Sequence, residues 1–440
     1  MLDLVHYTSG GPLEGRLAEV LGRRGAIPAA IEETAAAIVA AVRDRGDEAV
    51  AEYTVRFDGV RLTPGRFRVP QKALQDALNS ADPALMGAIE RAAANIRSFH
   101  EAQKADTWFR DDGDGVVLGR RITPLRRVGI CVPGGEAPLI SSLLMAAVPA
   151  RVAGVDEICV VTPPRPSGLP HPGLLAAAGF LGLDEVYAIG GAQAVAALAH
   201  GTGTVPAVDK IVGPGGPYTV AAKRQVYGIV GIEMVPGPSE IAVLADDTAS
   251  PAFIAADLLS QAEHGSGFEA AVCITTSEEL ARAVRDEVDR QLADLPRAEA
   301  AGRALSRYGV AVVVPDLQTG VELVNRLAPE HLELLVAEPR EWLERVRNAG
   351  AVFLGEASTE PVGDYYAGTN HVLPTNGAAR FSSSLGLADF VKASSVVEYT
   401  PGRLRAAAAD ITRLARAEGL EAHARAVEVR LRAWGEEGLP

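Results

Sequence analysis

Apolar residues follow one repeated pattern through the middle of this chain. Short runs rich in valine and isoleucine end at glycine, and each is followed by a stretch with helical periodicity. Over residues 127–240 this alternation predicts buried strands with helices on both faces, which is a doubly wound parallel sheet. The alternation resumes after residue 241 and predicts a second α/β unit.

Helical periodicity dominates the flanking segments. Residues 28–59 are typical of one long amphipathic helix that ends at a glycine. The apolar spacing over 317–336 also predicts a helix. From residue 402 to the end the chain is predicted to be helical, with a break near Gly419.

These patterns divide the chain into four regions. An N-terminal arm (1–26) precedes a discontinuous first α/β domain (27–126 plus 241–385). A second α/β domain (127–240) is inserted into it, and a C-terminal tail (386–440) follows. The predicted fold class is therefore α/β, with two doubly wound, Rossmann-like domains, an N-terminal arm and a helical C-terminal tail.

Composition narrows the possible partners and location. The formal charge of −14 and the lack of a basic stripe argue against a nucleic-acid surface. The N-terminus has no signal-peptide pattern, and no apolar run is long enough to span a membrane. The three cysteines are far apart within apolar runs, so we expect buried free thiols. A cytoplasmic protein is predicted.

Four glycine-rich turns follow predicted strands: "PGGEAP", "IGGAQA", "GPGGPY" and "PGPSE". Backbone amides that are free at such turns can bind anions, and ligands of open α/β sheets bind at the carboxyl ends of strands. None of the four turns is a GxGxxG or P-loop motif. They indicate either a nonstandard dinucleotide site or simply tight corners.

Histidine and carboxylate side chains cluster at four places. In "DLLSQAEHG", Gln261 and His264 are three residues apart and share a helix face, although a histidine there also suits the helix dipole. The other three clusters are Glu330 with His331, Asp364 with His371, and Glu418 with His423. Such side chains are zinc ligands, but their spacing matches no short zinc motif.

Glu330 and His331 are neighbours in sequence and would perform separate tasks if both were catalytic. Histidine is suited to act as a general base near neutral pH, and a carboxylate can activate water. The alternative is a surface helix that begins at "PEH".

Eight motifs in a fixed order resemble the histidinol dehydrogenase family over nearly the whole chain. They are "VPGGEAPL", "GGAQAVAALA", "VDKIVGPG", "GPSE", "DLLSQAEHG", "PEHLEL", "GDYYAGTNHVLP" and "GLEAHARAV". The resemblance implies two α/β lobes in an intertwined homodimer whose C-terminal tail crosses to the partner. It also implies oxidation of L-histidinol through L-histidinal to L-histidine, the end of histidine biosynthesis, with NAD reduced and one zinc ion per site.

The same resemblance implies the site residues. The metal ligands are Gln261, His264, Asp364 and His423, the last from the partner subunit. The catalytic residues are Glu330, His331 and His371, with Glu330 and His331 as the acid–base pair. The substrate contacts are Ser239, Gln261, His264, His331, Asp364, Glu418 and His423, and His371 also lies at the substrate. Gln193 contacts NAD.

Two positions depart from the family at its NAD site. Cys131 stands where the family usually has tyrosine, and Gly216 where it usually has asparagine. These departures leave open a zinc- and NAD-dependent dehydrogenase of the same fold for another small polar alcohol, such as a sulfonated diol. A zinc hydrolase without a dinucleotide and a non-catalytic metal-binding scaffold are the further alternatives.

Overall fold

The computed structural model describes residues 1–23, 27–134 and 138–436. The strands are β1 (Asp3–His6), β2 (Trp108–Asp111), β3 (Val116–Pro124), β4 (Arg127–Cys131), β5 (Glu157–Val161), β6 (Glu185–Tyr187), β7 (Lys210–Val212), β8 (Gly231–Ile232), β9 (Glu240–Ala245), β10 (Ala270–Thr275), β11 (Gly309–Val313), β12 (His331–Leu335), β13 (Ala351–Leu354) and β14 (Val391–Tyr399). The helices are α1 (Gly15–Gly22), α2 (Ala29–Arg45), α3 (Asp47–Asp58), α4 (Gln71–Ser80), α5 (Pro83–Glu101), α6 (Ile140–Ala153), α7 (Pro172–Phe180), α8 (Gly191–His200), α9 (Pro217–Val226), α10 (Pro251–Ala262), α11 (Glu278–Leu292), α12 (Ala298–Tyr308), α13 (Leu317–Leu327), α14 (Pro339–Leu343), α15 (Glu360–Tyr365), α16 (Pro401–Ala417) and α17 (Glu421–Glu436).

A six-stranded parallel sheet has the order β1-β11-β10-β9-β12-β13. Its central strands β9, β10 and β12 are buried along their whole length, because helices cover both faces. From β9 the chain adds β10 and β11 on one side, and it then returns to add β12 and β13 on the other side of β9. The sheet therefore reverses its direction of growth between β9 and β12.

A five-stranded parallel sheet has the order β6-β5-β4-β7-β8. Its direction of growth reverses between β4 and β7, so this is also a doubly wound sheet. Two parallel, helix-covered sheets confirm the predicted fold class.

Helices α2–α5 share a hydrophobic core with the five-stranded sheet, in which Ile38, Val50 and Ile89 lie in the same cluster as Val128. The sequence pattern had grouped these helices with the chain after residue 241. The division into domains stays a prediction, since shared packing does not by itself define a domain boundary.

Among the described residues, a separate unit is formed by residues 104–124 and 391–436. Here β3 pairs antiparallel with β2 and β14, and the helices α16 and α17 follow. The predicted helix break is confirmed at Gly419, which has φ +75°. Strand β14 was not predicted within the tail, because its side chains are mostly exposed and leave little alternation to detect.

Two helix predictions are wrong. The expected helix 28–59 is broken into α2 and α3 at Gly46, whose φ of +57° an α-helix cannot accommodate. The expected helix 317–336 ends at Leu327. Ala328 then adopts φ +51° and the chain continues as β12, because pairing with β9 and β13 buries both faces of this apolar segment. Among the described residues, no helix has the length and apolar character needed to cross a membrane.

Candidate active site

The side chains of Glu330 and His331 meet the main chain of a single residue, Glu240. A Glu330 carboxylate oxygen accepts a hydrogen bond from the N–H of Glu240 at 2.9 Å. His331 Nδ1 lies 3.3 Å from the carbonyl oxygen of the same residue. Glu240 begins β9 and His331 begins β12, and these strands are neighbours. The pairing of two strands at their amino ends therefore places both predicted acid–base residues.

The ring of His331 has a defined orientation. Because Nδ1 faces a carbonyl oxygen, it carries the proton and donates it, which leaves Nε2 as the exchangeable nitrogen. Nε2 lies 3.4 Å from a carboxylate oxygen of Asp364 in α15. The second oxygen of Asp364 lies 3.8 Å from His371 Nδ1, and His371 Nε2 lies 3.2 Å from the hydroxyl of Ser142 in α6. Asp364 and His331 thus form one connected group with His371 and Ser142.

Burial and charge set the proton affinities of these groups. Burial raises the pKa of Glu330 to about 8, since water no longer solvates its carboxylate. Burial alone would lower the pKa of His331, but the carboxylates of Glu330 and Asp364 outweigh it and raise that pKa to about 10. Burial opposes ionisation of Asp364 as well, yet the neighbouring imidazoles of His331 and His371 hold its pKa below the ordinary range.

A layer of buried carboxyl groups supports Asp364. Glu360, one helical turn before Asp364, accepts a hydrogen bond from Ser260 at 2.9 Å, and its own N–H donates to Glu333 at 2.9 Å. Glu333 lies beside Asp257, whose carboxylate accepts from Thr359. Burial raises the pKa of Glu333 to about 9 and that of Glu360 to about 8. Sequence reasoning missed this layer, although the i, i+4 spacing of Glu360 and Asp364 was a usable signal.

Three of these groups could hold a metal ion. Ligand atoms of His331, Glu360 and Asp364 all lie within 4.8 Å of one another. Asp364 belongs to the predicted metal set, whereas Glu360 does not. Imidazole nitrogen and carboxylate oxygen are both suitable zinc ligands.

Gln261 and His264 lie at the end of α10, as expected. The Gln261 side chain has 0% exposure, and neither its amide oxygen nor its amide nitrogen has a hydrogen-bond partner among the described residues. An unpaired buried amide reduces the stability of a folded protein by about 1–3 kcal/mol, so a ligand bound to its oxygen would remove this free-energy cost. His264 is exposed beyond the helix end, with Nδ1 at 3.1 Å from the Gln261 carbonyl oxygen. The chemistry of these donors fits a bound metal ion.

Arg23 at the end of α1 stabilises the residue that holds the acid–base pair. Its guanidinium lies 2.6 Å from the Glu240 carboxylate, donates to the Phe268 carbonyl oxygen and lies over the ring of Tyr308 at 5.0 Å. Burial raises the pKa of Glu240, and Arg23 opposes that rise. Sequence reasoning missed this ion pair, since no local pattern relates residues so distant in the chain.

The other predicted substrate residues lie in different settings. Ser239 is half-buried directly before β9, and its carbonyl oxygen accepts from the N–H of Ala270 at 3.2 Å. Glu418 and His423 are exposed on the α16–α17 pair, in the separate unit. Their roles in substrate and metal binding stay predictions.

The glycine-rich turns of the five-stranded sheet lie at its carboxyl ends. A Cβ at Gly213 would lie 2.2 Å from the carbonyl oxygen of Cys131, so the turns after β4 and β7 touch where the sheet reverses direction. Gly216, by contrast, has open space around it. The turn at 135–137, within "VPGGEAPL", lies outside the described residues.

Two buried polar groups point to a ligand near these turns. The amide oxygen of Gln193 in α8 and the hydroxyl of Thr162 after β5 have no hydrogen-bond partner among residues 1–23, 27–134 and 138–436, and each residue is 1% exposed. Gln193 was predicted to contact NAD. Thr162 was missed, because a threonine at a strand end carries no sequence signal of its own.

The cysteines are free and buried, as predicted. Burial raises the pKa of the Cys131 thiol to about 12, so this residue is a neutral thiol where the family usually has tyrosine.

Comparisons with known proteins give a consistent picture. The family model described as histidinol dehydrogenase matches residues 22–431. Histidinol dehydrogenase of Geobacillus kaustophilus is 53% identical over 394 residues, covering 90% of this chain and 92% of the relative. That of Moorella thermoacetica is 54% identical over 393 residues, covering 89% and 92%. A crystal structure of histidinol dehydrogenase from Elizabethkingia anophelis is similar with a TM-score of 0.91 at 36% identity, covering 98% of both chains.

Proposed function

This chain belongs to the histidinol dehydrogenase family, and we propose that it oxidises L-histidinol through L-histidinal to L-histidine with NAD and zinc. The observation that carries the proposal is the buried pair of Glu330 and His331: the main chain of Glu240 holds both side chains, and His331 faces Asp364. A four-electron oxidation needs a base for the alcohol proton and a second group to activate water. The pair supplies both functions.

The first oxidation requires removal of the alcohol proton. His331 Nε2 is the nitrogen left free for this proton, since Nδ1 is committed to the Glu240 carbonyl oxygen. The same hydrogen bond fixes the ring plane, so the base needs no reorientation during the reaction. His371 is held between Asp364 and Ser142 and could bind the substrate oxygen or an imidazole edge.

The second oxidation begins with addition of water to the aldehyde. Glu330 takes a proton from this water while the water oxygen bonds to the aldehyde carbon; the C=O π bond breaks, and the former carbonyl oxygen gains a proton to give the hydrated aldehyde. The raised pKa of Glu330 makes its carboxylate a stronger base than an exposed one. The carboxylate also stays in position, because one of its oxygens accepts a hydrogen bond from the Glu240 N–H.

The bound groups supply the remaining chemistry: zinc orients the substrate nitrogens, and NAD accepts hydride in each oxidation. Asp364, Gln261 and His264 would hold the metal ion, and the unpaired amide of Gln261 supports its assignment. When Asp364 is bound to a cation, it no longer raises the pKa of His331, which favours the neutral imidazole that a base requires.

We also propose a homodimer located in the cytoplasm. In this arrangement His423 of the partner subunit would complete the metal site and Glu418 of the partner subunit would contact the substrate. Both side chains are exposed within one chain, as a role at a subunit interface requires. Sedimentation at micromolar concentration would test the dimer, and a purely monomeric active enzyme would refute it.

A steady-state assay of the purified protein tests the function. With zinc, NAD and L-histidinol, we expect two NADH per substrate consumed and L-histidine as the product. A sulfonated diol of similar size serves as the control substrate. Turnover of the diol without turnover of L-histidinol would refute the proposal.

A further inference from the structure

Lys223 and Glu233 form a fully buried ion pair beneath the glycine-rich turn after β7. Both side chains have 0% exposure, and the Lys223 ammonium lies 2.7 Å from each oxygen of the Glu233 carboxylate. Lys223 belongs to α9, and Glu233 directly follows β8. A buried ion pair of this kind is costly to desolvate and is often replaceable by apolar residues without loss of stability. A gain in stability is therefore a weak explanation for its presence.

The ion pair binds both polar groups of one backbone residue. The N–H of Gly213 donates to the Glu233 carboxylate at 2.8 Å, and the Lys223 ammonium donates to the Gly213 carbonyl oxygen at 3.0 Å. Gly213 has φ +103°, a conformation that side chains other than glycine rarely adopt. The pair thus holds a turn in a backbone conformation that it would not keep unaided.

The position of Gly213 gives this restraint a function. Gly213 follows β7 and touches Cys131 at the end of β4, which is where the five-stranded sheet reverses direction. Ligands of open α/β sheets bind in the crevice at this point. Thr162 directly follows β5, and Gln193 lies in the first turn of α8, which follows β6; each has an unpaired buried atom at the carboxyl ends of the same sheet.

We propose that Lys223 and Glu233 are positioning residues for NAD, because they fix the Gly213 turn against which the dinucleotide binds. The inference rests on the proposed function, since it assumes that NAD is the ligand of this sheet. Neither side chain is exposed, so the two act through the turn and do not contact the cofactor.

The test separates positioning from stability. Replacing both residues, as Lys223→Met with Glu233→Met, removes the charges together and should keep most of the melting temperature. It also removes the acceptor of the Gly213 N–H and the donor to its carbonyl oxygen. We expect NADH affinity, measured by fluorescence titration of the zinc-loaded protein, to fall at least tenfold, as for other supporting contacts at ligand sites. Zinc content should be unchanged.

A matched ion pair serves as the control. Arg127 and Glu185 form a mostly buried pair at the amino end of the same sheet, away from the turns. The double variant Arg127→Met with Glu185→Met should bind NADH as the wild type does. Wild-type NADH affinity in the Lys223–Glu233 double variant, or equal losses in both double variants, would overturn the proposal.

A second double variant covers the case in which the first does not fold. Lys223→Met with Glu233→Gln leaves no buried charge without a partner and keeps an oxygen that can accept the Gly213 N–H, whereas Lys223→Met with Glu233→Met does not. We expect the glutamine variant to retain more NADH affinity than the methionine variant, and equal affinities would refute the role of this hydrogen bond. Wild-type protein that binds NADH but does not oxidise L-histidinol would refute the proposed function and leave this inference standing.

Discussion

Glu330→Gln tests the proposed activation of water by Glu330 separately from the other functions of the site. The glutamine oxygen can still accept the hydrogen bond from the Glu240 N–H, which is 2.9 Å long in the wild type, so the fold and the position of His331 should be retained. The variant loses only the ability to take a proton. General-base catalysis contributes about 10²–10⁴-fold, and we expect the step from L-histidinal to L-histidine to slow by about this factor.

The ionised fraction of Glu330 determines how the rate of the aldehyde oxidation depends on pH. Burial raises the pKa of Glu330 to about 8, which leaves roughly one carboxylate in ten ionised at pH 7. A base acts when it is deprotonated, so the wild-type rate should rise with pH up to a limit at or below about pH 8. A bound zinc ion would shift this limit downward, because it favours the carboxylate. The glutamine variant should lack this rise.

The assay supplies L-histidinal directly and follows NADH in single turnovers, with L-histidinol as the parallel substrate. The alcohol oxidation should change much less than the aldehyde oxidation. Equal loss of both steps would refute the assignment of water activation to Glu330. So would a glutamine variant that keeps the wild-type pH profile.

Three further substitutions test other parts of the site. His331→Asn should abolish the first oxidation while zinc content, measured by elemental analysis, stays normal; loss of zinc would contradict the separation of base and metal ligand. Gln261→Met removes the unpaired buried amide, so the metal-free protein should be as stable as the wild type or more so by about 1–3 kcal/mol. Its zinc affinity should fall, by chelator competition, and unchanged affinity would exclude Gln261 as a ligand. Burial, and next the charge of Asp257, raise the pKa of Glu333 to about 9. The folded state therefore binds this proton more tightly than the unfolded state, and stability is lost as pH rises from about 5 to about 9. Glu333→Gln should therefore raise the melting temperature more at pH 9 than at pH 6, and an equal change at both pH values would show that Glu333 does not ionise in this range.

The sequence predicted the parts of this protein that depend on local patterns. Alternation of apolar runs with helical segments is enough to indicate a doubly wound fold, because a strand covered on both faces has no polar side. The three-residue spacing of Gln261 and His264 predicts that they share a helix face. In the structure α10 ends at Ala262, so Gln261 is buried in its last turn and His264 is exposed beyond it. The segment that becomes β12 was misread as helix, because a short apolar run is compatible with either state and only pairing with β9 decides between them.

The supporting groups of the site could not be predicted in this way. Lys223 follows the helical pattern of an ordinary exposed lysine, and its burial depends on a glutamate that follows a later strand. Glu333 resembles the polar face of a helix, and its low exposure follows from the strand in which it lies. Arg23 reaches Glu240 across more than two hundred residues. Such contacts arise from tertiary packing, and no local window of sequence contains them.

The hydrogen bond between the Glu240 N–H and Glu330 makes the backbone amide of Glu240 a reporter of the active site. An amide proton that is bonded to a carboxylate resonates further downfield than one bonded to a carboxylic acid, and its exchange with deuterated solvent is slow only while the bond persists. In an NMR spectrum of labelled protein, this one peak would follow the protonation of Glu330 directly. The protonation state of Glu330, the group that we propose to activate water, could thus be observed in a resting enzyme, without substrate or turnover.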